Sequence, residues 1–272
     1  MMIFLLEECN FSCSHCVRED EPMEPGYKLS FGQLQSCLSD CRSLDSVRWV
    51  HFSGGEPTLW TDGNHDLVDL LLEISNAGFT PGFTTNGSSF VDYDFCHNFF
   101  EKYLDASGTP LRLYVSIDTF HNNFDVEKGR SQSLDNVVKC KTDMPPGKGE
   151  LLNITVAAVI SKDASSLLPD EMIRQYESLG VTFSFVPLKS KGRGKSLSNL
   201  CPDLSSDKPE DMGAYYRFRK TRGKSERNQE NPDEVLCVVL IGDNYYVSSP
   251  WRKVGTLGRL PDTIIHAYSA ND

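Results

Sequence analysis

Three cysteines occupy one short stretch near the start of the chain, Cys9, Cys13 and Cys16, in the spacing C-x3-C-x2-C. They follow the apolar run 2–6 almost directly, and that run predicts a buried strand. Sites on parallel α/β sheets form where strands end and loops begin. The three thiolates are therefore placed to hold one metal centre, and soft sulfur ligands favour zinc or an iron–sulfur cluster.

The number of cysteines distinguishes these two kinds of centre. Structural zinc takes four protein ligands, so this loop would need His15 or a distant residue to complete the site. A cubane cluster held by three thiolates instead leaves one iron open for a substrate or cofactor, and we favour that chemistry. Simple burial of all three is the remaining alternative, although buried cysteines rarely gather in one loop.

Composition limits the classes of protein. The 272 residues carry 38 acidic and 27 basic side chains, a formal charge of −11 that disfavours general nucleic-acid binding. The apolar run 235–241 is far shorter than the ~20 residues that span a bilayer. Glu7 and Glu8 interrupt the apolar start, so we expect no secretion signal and a cytoplasmic protein. Nine cysteines, an odd number, then indicate reduced thiols rather than disulfides.

Apolar runs alternate with helical patterns along most of the chain. Strands are predicted over 2–6, 47–52, 79–84, 111–117, 151–160 and 181–186, and helices over 31–44, 66–77, 91–104, 134–141 and 169–179. This alternation predicts parallel strands with right-handed helical crossovers, curled into a barrel or part of one. After residue 187 the rhythm is lost, residues 208–234 are polar and predict a mobile loop or linker, and 235–246 predict a hairpin.

The cysteine loop resembles the signature of the radical S-adenosylmethionine (radical SAM) superfamily, with His15 where an aromatic residue is usual. The second predicted strand ends in Ser53-Gly54-Gly55-Glu56-Pro57, which resembles the family's GGEP motif. The resemblance extends to about residue 190 and, more weakly, to the C-terminus. It implies an α/β fold, a partial (β/α)6 TIM-type barrel, with a radical SAM core over 1–190 and a small C-terminal extension over 191–272.

The resemblance also implies the cofactors and the activity. One 4Fe-4S cluster on Cys9, Cys13 and Cys16, reduced by a flavodoxin or ferredoxin, would cleave S-adenosyl-L-methionine to a 5′-deoxyadenosyl radical that abstracts hydrogen from a substrate. The implied cofactor-binding residues are Gly54, Gly55, Glu56, Pro57, Thr85, Asn86, Ser116, Asp118, Arg130, Val186 and Leu188.

Each of these residues has an expected role. Gly54 and Gly55 would let the backbone approach the amino group of the cofactor, Glu56 would orient Gly55 or the neighbouring backbone, and Pro57 would fix the turn. Polar residues at strand ends suit the ribose hydroxyls and the methionine carboxylate, Arg130 would pair with that carboxylate, and Val186 and Leu188 would pack on adenine. For Ser116 and Asn86, a structural role as turn or helix caps is an equal alternative.

Residues 237–268 resemble a degenerate auxiliary-cluster (SPASM-type) region. Cys237 precedes the predicted hairpin, but Ser248 and Ser249 stand where a second cysteine is expected. We therefore predict that the full auxiliary cluster is lost, and that Cys37 and Cys41 pack in the core. The basic residues between 217 and 227 indicate either a solvated loop or a lid over an anionic substrate.

Because the cysteine motif starts at residue 9, we expect no added peptide-recognition domain before the barrel, and this expectation favours a small-molecule substrate such as a sugar, nucleotide or amino acid. Peptide modification, as in a maturase of ribosomally made peptides, is the alternative, because SPASM-like remnants are common in such relatives. A non-catalytic iron–sulfur sensor or electron carrier is a third, weaker hypothesis, since it would need no GGEP motif.

Overall fold

A nine-stranded sheet forms the centre of the computed structural model, which describes residues 1–18, 24–42, 47–121, 123–125, 130–206, 208–215, 238–241, 244–247 and 252–256. The strands are β1 (Met2–Leu6), β2 (Trp49–Gly54), β3 (Thr61–Asp62), β4 (His65–Asp66), β5 (Thr80–Thr85), β6 (Leu111–Ser116), β7 (Leu152–Ile160), β8 (Thr182–Pro187), β9 (Val238–Ile241), β10 (Asn244–Val247) and β11 (Arg252–Thr256). The helices are α1 (Phe31–Arg42), α2 (Leu67–Asn76), α3 (Tyr93–Ser107), α4 (Gln132–Asp143), α5 (Asp170–Ser178) and α6 (Pro209–Met212).

Six of these strands pair in parallel in the order β1-β2-β5-β6-β7-β8, with a helix between successive members. β8 ends the sheet and does not pair with β1, so the barrel is partial. The predicted α/β fold is confirmed, and each of the six strands and five helices begins and ends within three residues of its predicted bounds.

The hydrophobic core lies between the sheet and its helices. In β6, Leu111, Leu113 and Val115 are buried in this core, whereas the alternate residues are only half-buried because they face the inside of the partial barrel. The inner face is more polar, and there the ring of His51 packs edge-on against Tyr114 at 5.2 Å between centroids. Cys37 and Cys41 on α1 are fully buried in the core, as predicted.

The C-terminal strands continue the same sheet. The predicted hairpin is present as antiparallel β9 and β10, and β9 pairs in parallel with β1 through Met2↔Val239 and Ile3↔Leu240. The segment 191–272, predicted as an extension, therefore contributes strands to the sheet of the core. Cys237, Ser248, Ser249 and the basic residues 217–227 lie outside the described residues. In the part of the chain that is described, no helix has the length and apolar character that a bilayer span requires.

Candidate functional site

A cavity of about 450 Å³ opens at the carboxyl ends of β1, β2, β5 and β6. Eight of the residues selected from the sequence line it: Cys9, Cys13, Cys16, Gly54, Gly55, Thr85, Asn86 and Ser116. The parallel strands explain this convergence, because their carboxyl ends lie at one edge of the sheet and the loops that follow them meet there.

The sulfur atoms of the three cysteines do not form a preformed single-ion site. In the described residues, the ligand atoms that gather within 4.8 Å of one another belong to His15, Asp118 and His121, and the three thiols form no such group. Thiolates around one zinc ion would lie about 3.8 Å apart, given a Zn–S bond of about 2.3 Å. A cluster in which each thiolate binds a different iron fits the wider arrangement better.

The cysteine loop, residues 7–18, lies directly against the glycine turn, residues 53–57. Gly55 N–H donates to the Leu6 carbonyl at 2.7 Å, and Glu56 N–H donates to the Glu8 carbonyl at 2.9 Å. A Cβ on Gly55 would overlap the carbonyl oxygen of Glu8 and lie 2.6 Å from its carbonyl carbon. Gly54 has φ +115°, which favours glycine. The sequence attributed the missing side chain of Gly55 to close contact with a ligand. In the structure, Gly55 makes its close contact with the backbone of the cysteine loop.

Glu56 joins the glycine turn to the end of β5. Its side chain is fully buried, and its carboxylate accepts hydrogen bonds from Thr85 Oγ1 at 2.7 Å, Asn86 N–H at 2.7 Å and Thr58 Oγ1 at 2.8 Å. Burial raises the pKa of Glu56, while these hydrogen bonds oppose the rise. Of the two expected partners of Glu56, Gly55 and the neighbouring backbone, its carboxylate bonds backbone N–H groups, those of Thr58 and Asn86. Pro57 is buried and begins the short 3-10 turn Pro57–Leu59.

Asn86 has the capping role considered from the sequence and also contacts the cysteine loop, while its contact with the cofactor stays a prediction. Its Oδ1 accepts from Ser88 N–H at 2.9 Å, which is a turn cap. Its Nδ2 donates to Asn10 Oδ1 at 2.8 Å and to Cys9 Sγ at 3.8 Å, so the same side chain holds the cysteine loop. Thr85 Oγ1 accepts from Gly87 N–H at 2.9 Å while it donates to Glu56.

Asp118 is not among the residues that line the cavity, and its expected contact with the cofactor stays a prediction. It is fully buried, and its carboxylate accepts from His121 Nδ1 at 2.9 Å and from Val159 N–H at 2.9 Å. Burial opposes ionisation of Asp118, but His121 outweighs it and lowers the pKa of the carboxyl. Burial would likewise lower the pKa of His121, yet its bonds to Asp118 and Cys13 raise it to about 10. Asp118 therefore orients His121, whose ring lines the cavity.

Three further residues selected from the sequence lie elsewhere. Arg130 has a side chain that is 55% exposed, and its Nε lies 3.7 Å from Asp135 Oδ2. Val186 belongs to β8. Leu188 is buried, and its N–H donates to the Ile160 carbonyl at 2.8 Å. None of the three lines the cavity formed by the described residues, and the assignment of Arg130 to a carboxylate and of the two aliphatic residues to adenine stays a prediction.

Two arginines that received no role from the sequence do line the cavity, Arg18 and Arg193. Arg193 lies in the 3-10 helix Gly192–Leu200, and its N–H donates to the Cys16 carbonyl at 2.9 Å. A Cβ on Gly192 would lie 2.5 Å from that same carbonyl oxygen. In the sequence, the Gly-Arg-Gly at 192–194 was the one feature that pointed to this segment. It follows the last predicted strand, and that position does not predict a contact with Cys16.

The burial of Glu56 leads to a stability prediction. Glu56→Ala should lower the free energy of unfolding by about 3 kcal/mol, because several buried donors lose their acceptor. Glu56→Gln should cost less, about 1–2 kcal/mol, since only its amide group opposes the Asn86 N–H. Urea unfolding of the metal-free protein measures both, with the exposed Glu101→Ala as a control expected to change it by less than about 0.5 kcal/mol. Equal stability of all three variants would contradict the assigned role.

Comparisons with known proteins agree with this geometry. The sequence model of the radical SAM superfamily matches residues 3–140, half of the chain. The chain is 22% identical over 222 residues to the tungsten-containing aldehyde ferredoxin oxidoreductase cofactor-modifying protein of Pyrococcus furiosus, covering 79% of this chain and 58% of that protein. It is 21% identical over 246 residues to the PqqA peptide cyclase of Bradyrhizobium diazoefficiens, covering 80% and 62%. The chain thus spans about 60% of the length of these relatives.

A solved structure shares the fold over nearly the whole chain. Native anSMEcpe with bound AdoMet and Cp18Cys peptide superimposes with a TM-score of 0.57 and 14% identity, covering 99% of this chain and 80% of that one. This chain combines the cysteine motif, the glycine turn and the partial barrel. The family match over residues 3–140 includes the cysteine motif and the glycine turn. The chain therefore belongs to the radical SAM superfamily, whose enzymes use a 4Fe-4S cluster and S-adenosylmethionine.

Proposed function

We propose that Cys9, Cys13 and Cys16 hold the 4Fe-4S cluster of this radical SAM enzyme and that the adjoining cavity binds S-adenosylmethionine. The observation that carries the proposal is that the three thiols and the glycine turn line one cavity. Its volume of about 450 Å³ lies in the range of small-molecule and cofactor sites. When bound, the two cofactors supply reductive cleavage of the carbon–sulfur bond of S-adenosylmethionine and abstraction of a hydrogen atom from a substrate.

The residues of the chain position these groups. Hydrogen bonds from Glu56, Asn86 and Arg193 fix both flanks of the cysteine loop, which holds the thiolates in place without the metal. Ser53, Thr84 and Ser116 line the cavity from three adjacent strands. We assign these side chains to hydroxyl groups of the cofactor or of the substrate, because each offers both a donor and an acceptor. A flavodoxin or ferredoxin is our proposed electron donor.

For the substrate we favour a peptide over the small molecule expected from the sequence. Relatives named for peptide chemistry support this choice, among them PqqA peptide cyclases of two organisms at 21% and 23% identity. The solved structure with a TM-score of 0.57 also carries a bound peptide. A cofactor-type substrate is the second candidate, supported by the cofactor-modifying protein and by an Fe-coproporphyrin III synthase at 24% identity.

Formation of 5′-deoxyadenosine by the reduced, reconstituted protein under anaerobic conditions tests the reaction. We expect slow formation with S-adenosylmethionine alone and faster formation when a cell extract containing the substrate is added. Pretreatment of that extract with protease should remove the acceleration if the substrate is a peptide. An acceleration that survives protease would support the cofactor-type substrate instead. Protein that binds zinc but no iron, and forms no 5′-deoxyadenosine, would contradict the proposal.

A further inference from the structure

Arg18 lines the cavity and has hydrogen-bond donors without a partner among the described residues. Its Nη2 donates to the Glu7 carbonyl, whereas Nε and Nη1 are buried without a hydrogen-bond partner among the described residues. Nη1 lies 2.6 Å from the point that a Cβ on Gly55 would occupy, so the guanidinium packs directly on the glycine turn. Arg18 is thus a lining residue of the cavity whose charged end meets the backbone of Gly55.

Such an arrangement is costly unless a ligand completes it. A buried donor without a partner loses the hydrogen bonds that it made to water, and the loss is larger for a charged group. Within the described residues, Arg18 forms no ion pair with a carboxylate. Glu7, Glu8 and Cys9 line the same cavity, and the positive charge of Arg18 favours an anionic ligand there. Guanidinium groups are suited to carboxylates, because their planar set of N–H donors matches the two oxygens.

The position of Arg18 indicates which carboxylate of a ligand it would bind. An α-amino acid carries its ammonium and carboxylate on the same carbon, so a group that binds one lies next to the site of the other. If the ammonium of the methionine moiety meets the backbone of the glycine turn, its carboxylate lies beside Gly55, where Arg18 is found. Arg130, the residue expected from the sequence, is instead exposed beside Asp135 and outside the cavity lining.

We propose that Arg18 binds the carboxylate of the methionine moiety of S-adenosylmethionine. The inference rests on the proposed function, and it assigns to a residue two positions after the last cluster cysteine the role that the sequence assigned to Arg130. Arg193, which lines the same cavity from the other flank of the cysteine loop, adds a second positive charge to the site.

Anaerobic calorimetry of the reconstituted holoprotein tests the assignment with two ligands, S-adenosylmethionine and its decarboxylated form. Arg18→Gln should weaken binding of S-adenosylmethionine by about 10-fold or more. It should leave the affinity for the decarboxylated form nearly unchanged, since that ligand has no carboxylate to lose. Arg174→Gln on the exposed face of α5 removes the same charge far from the cavity and should change neither affinity.

Arg18→Lys retains a positive charge, so it provides the same comparison if Arg18→Gln loads less iron. In this variant too, the affinity for S-adenosylmethionine should fall relative to the affinity for the decarboxylated form, because lysine lacks the planar donor set. Equal weakening of both ligands by either variant at normal iron content would overturn the assignment, as would weakening by Arg130→Gln alone. Failure of the wild-type holoprotein to bind S-adenosylmethionine would instead contradict the proposed function.

Discussion

Replacement of Cys9, Cys13 or Cys16 by serine should each reduce bound iron from about four atoms per chain to background after anaerobic reconstitution. Each cysteine lines the cavity and supplies one of the three thiolates, and the loop holds no fourth cysteine that could replace a missing one. The expected loss is complete because a hydroxyl is a poor ligand for a cluster that prefers thiolate. Iron and sulfide analysis, together with the visible absorbance of the cluster, measures the result.

Other cysteines of the chain supply matched controls. Cys37→Ala, on the buried face of α1, should retain all of the iron and lose only about 1 kcal/mol of stability. Cys201→Ala should also retain the iron, because Cys201 lies outside the cavity lining and donates to the Leu197 carbonyl. A fall by about half in the Cys201 variant would instead reveal a second cluster. Retention of iron by all three loop variants would contradict the assignment of the ligands.

Gly55→Val should also abolish the cluster, although it removes no ligand. The new side chain would overlap the Glu8 carbonyl and displace Arg18, whose Nη1 would lie 2.6 Å from the Cβ. Backbone cannot yield as a flexible side chain does, so the cysteine loop must move away from the glycine turn, and the Glu56 N–H bond to Glu8 is lost with it. We expect iron content to fall to background together with binding of S-adenosylmethionine.

Gly32→Ala is the control for this substitution. Gly32 lies in the first turn of α1, and a Cβ there would have no heavy atom within 4 Å. That variant should retain its iron and gain slightly in stability, because alanine favours the helix. If Gly55→Val keeps a full cluster and loses only the binding of S-adenosylmethionine, the glycine serves the ligand alone, as the sequence suggested, and the contact with the cysteine loop is not essential.

The sequence predicted the positions of the site along the chain better than the directions of its side chains. Parallel strands carry their loops to one edge, so Cys9, Gly55 and Asn86 were expected to converge, and all three line the cavity. Asp118 follows a strand in the same way, yet local N–H groups and His121 take up its carboxylate. Competition between a ligand and nearby backbone donors depends on loop geometry, which residue spacing does not define.

Contacts made by irregular segments were also missing from the prediction. Arg193 lies beyond the last predicted strand, where no periodicity indicates a fold, and only the assembled structure brings it to Cys16. The hairpin of β9 and β10 was recognisable from its local pattern, but its parallel pairing with β1 was not. Turn residues and the alternation of apolar and polar residues can be recognised in the local sequence. The partner of a strand depends instead on which edge of the sheet remains open.

The contacts of the cysteine loop have a consequence for how the protein acquires its metal during synthesis. The thiols leave the ribosome well before residues 192–193, so Cys16 meets Gly192 and Arg193 only after the six parallel strands have been made. A nascent chain that ends before this segment carries every ligand and lacks the contact that holds the last of them. With the cluster ligands proposed above, we expect cluster insertion to depend on completion of the barrel, and an incomplete chain to expose its thiols to oxidants and competing metals.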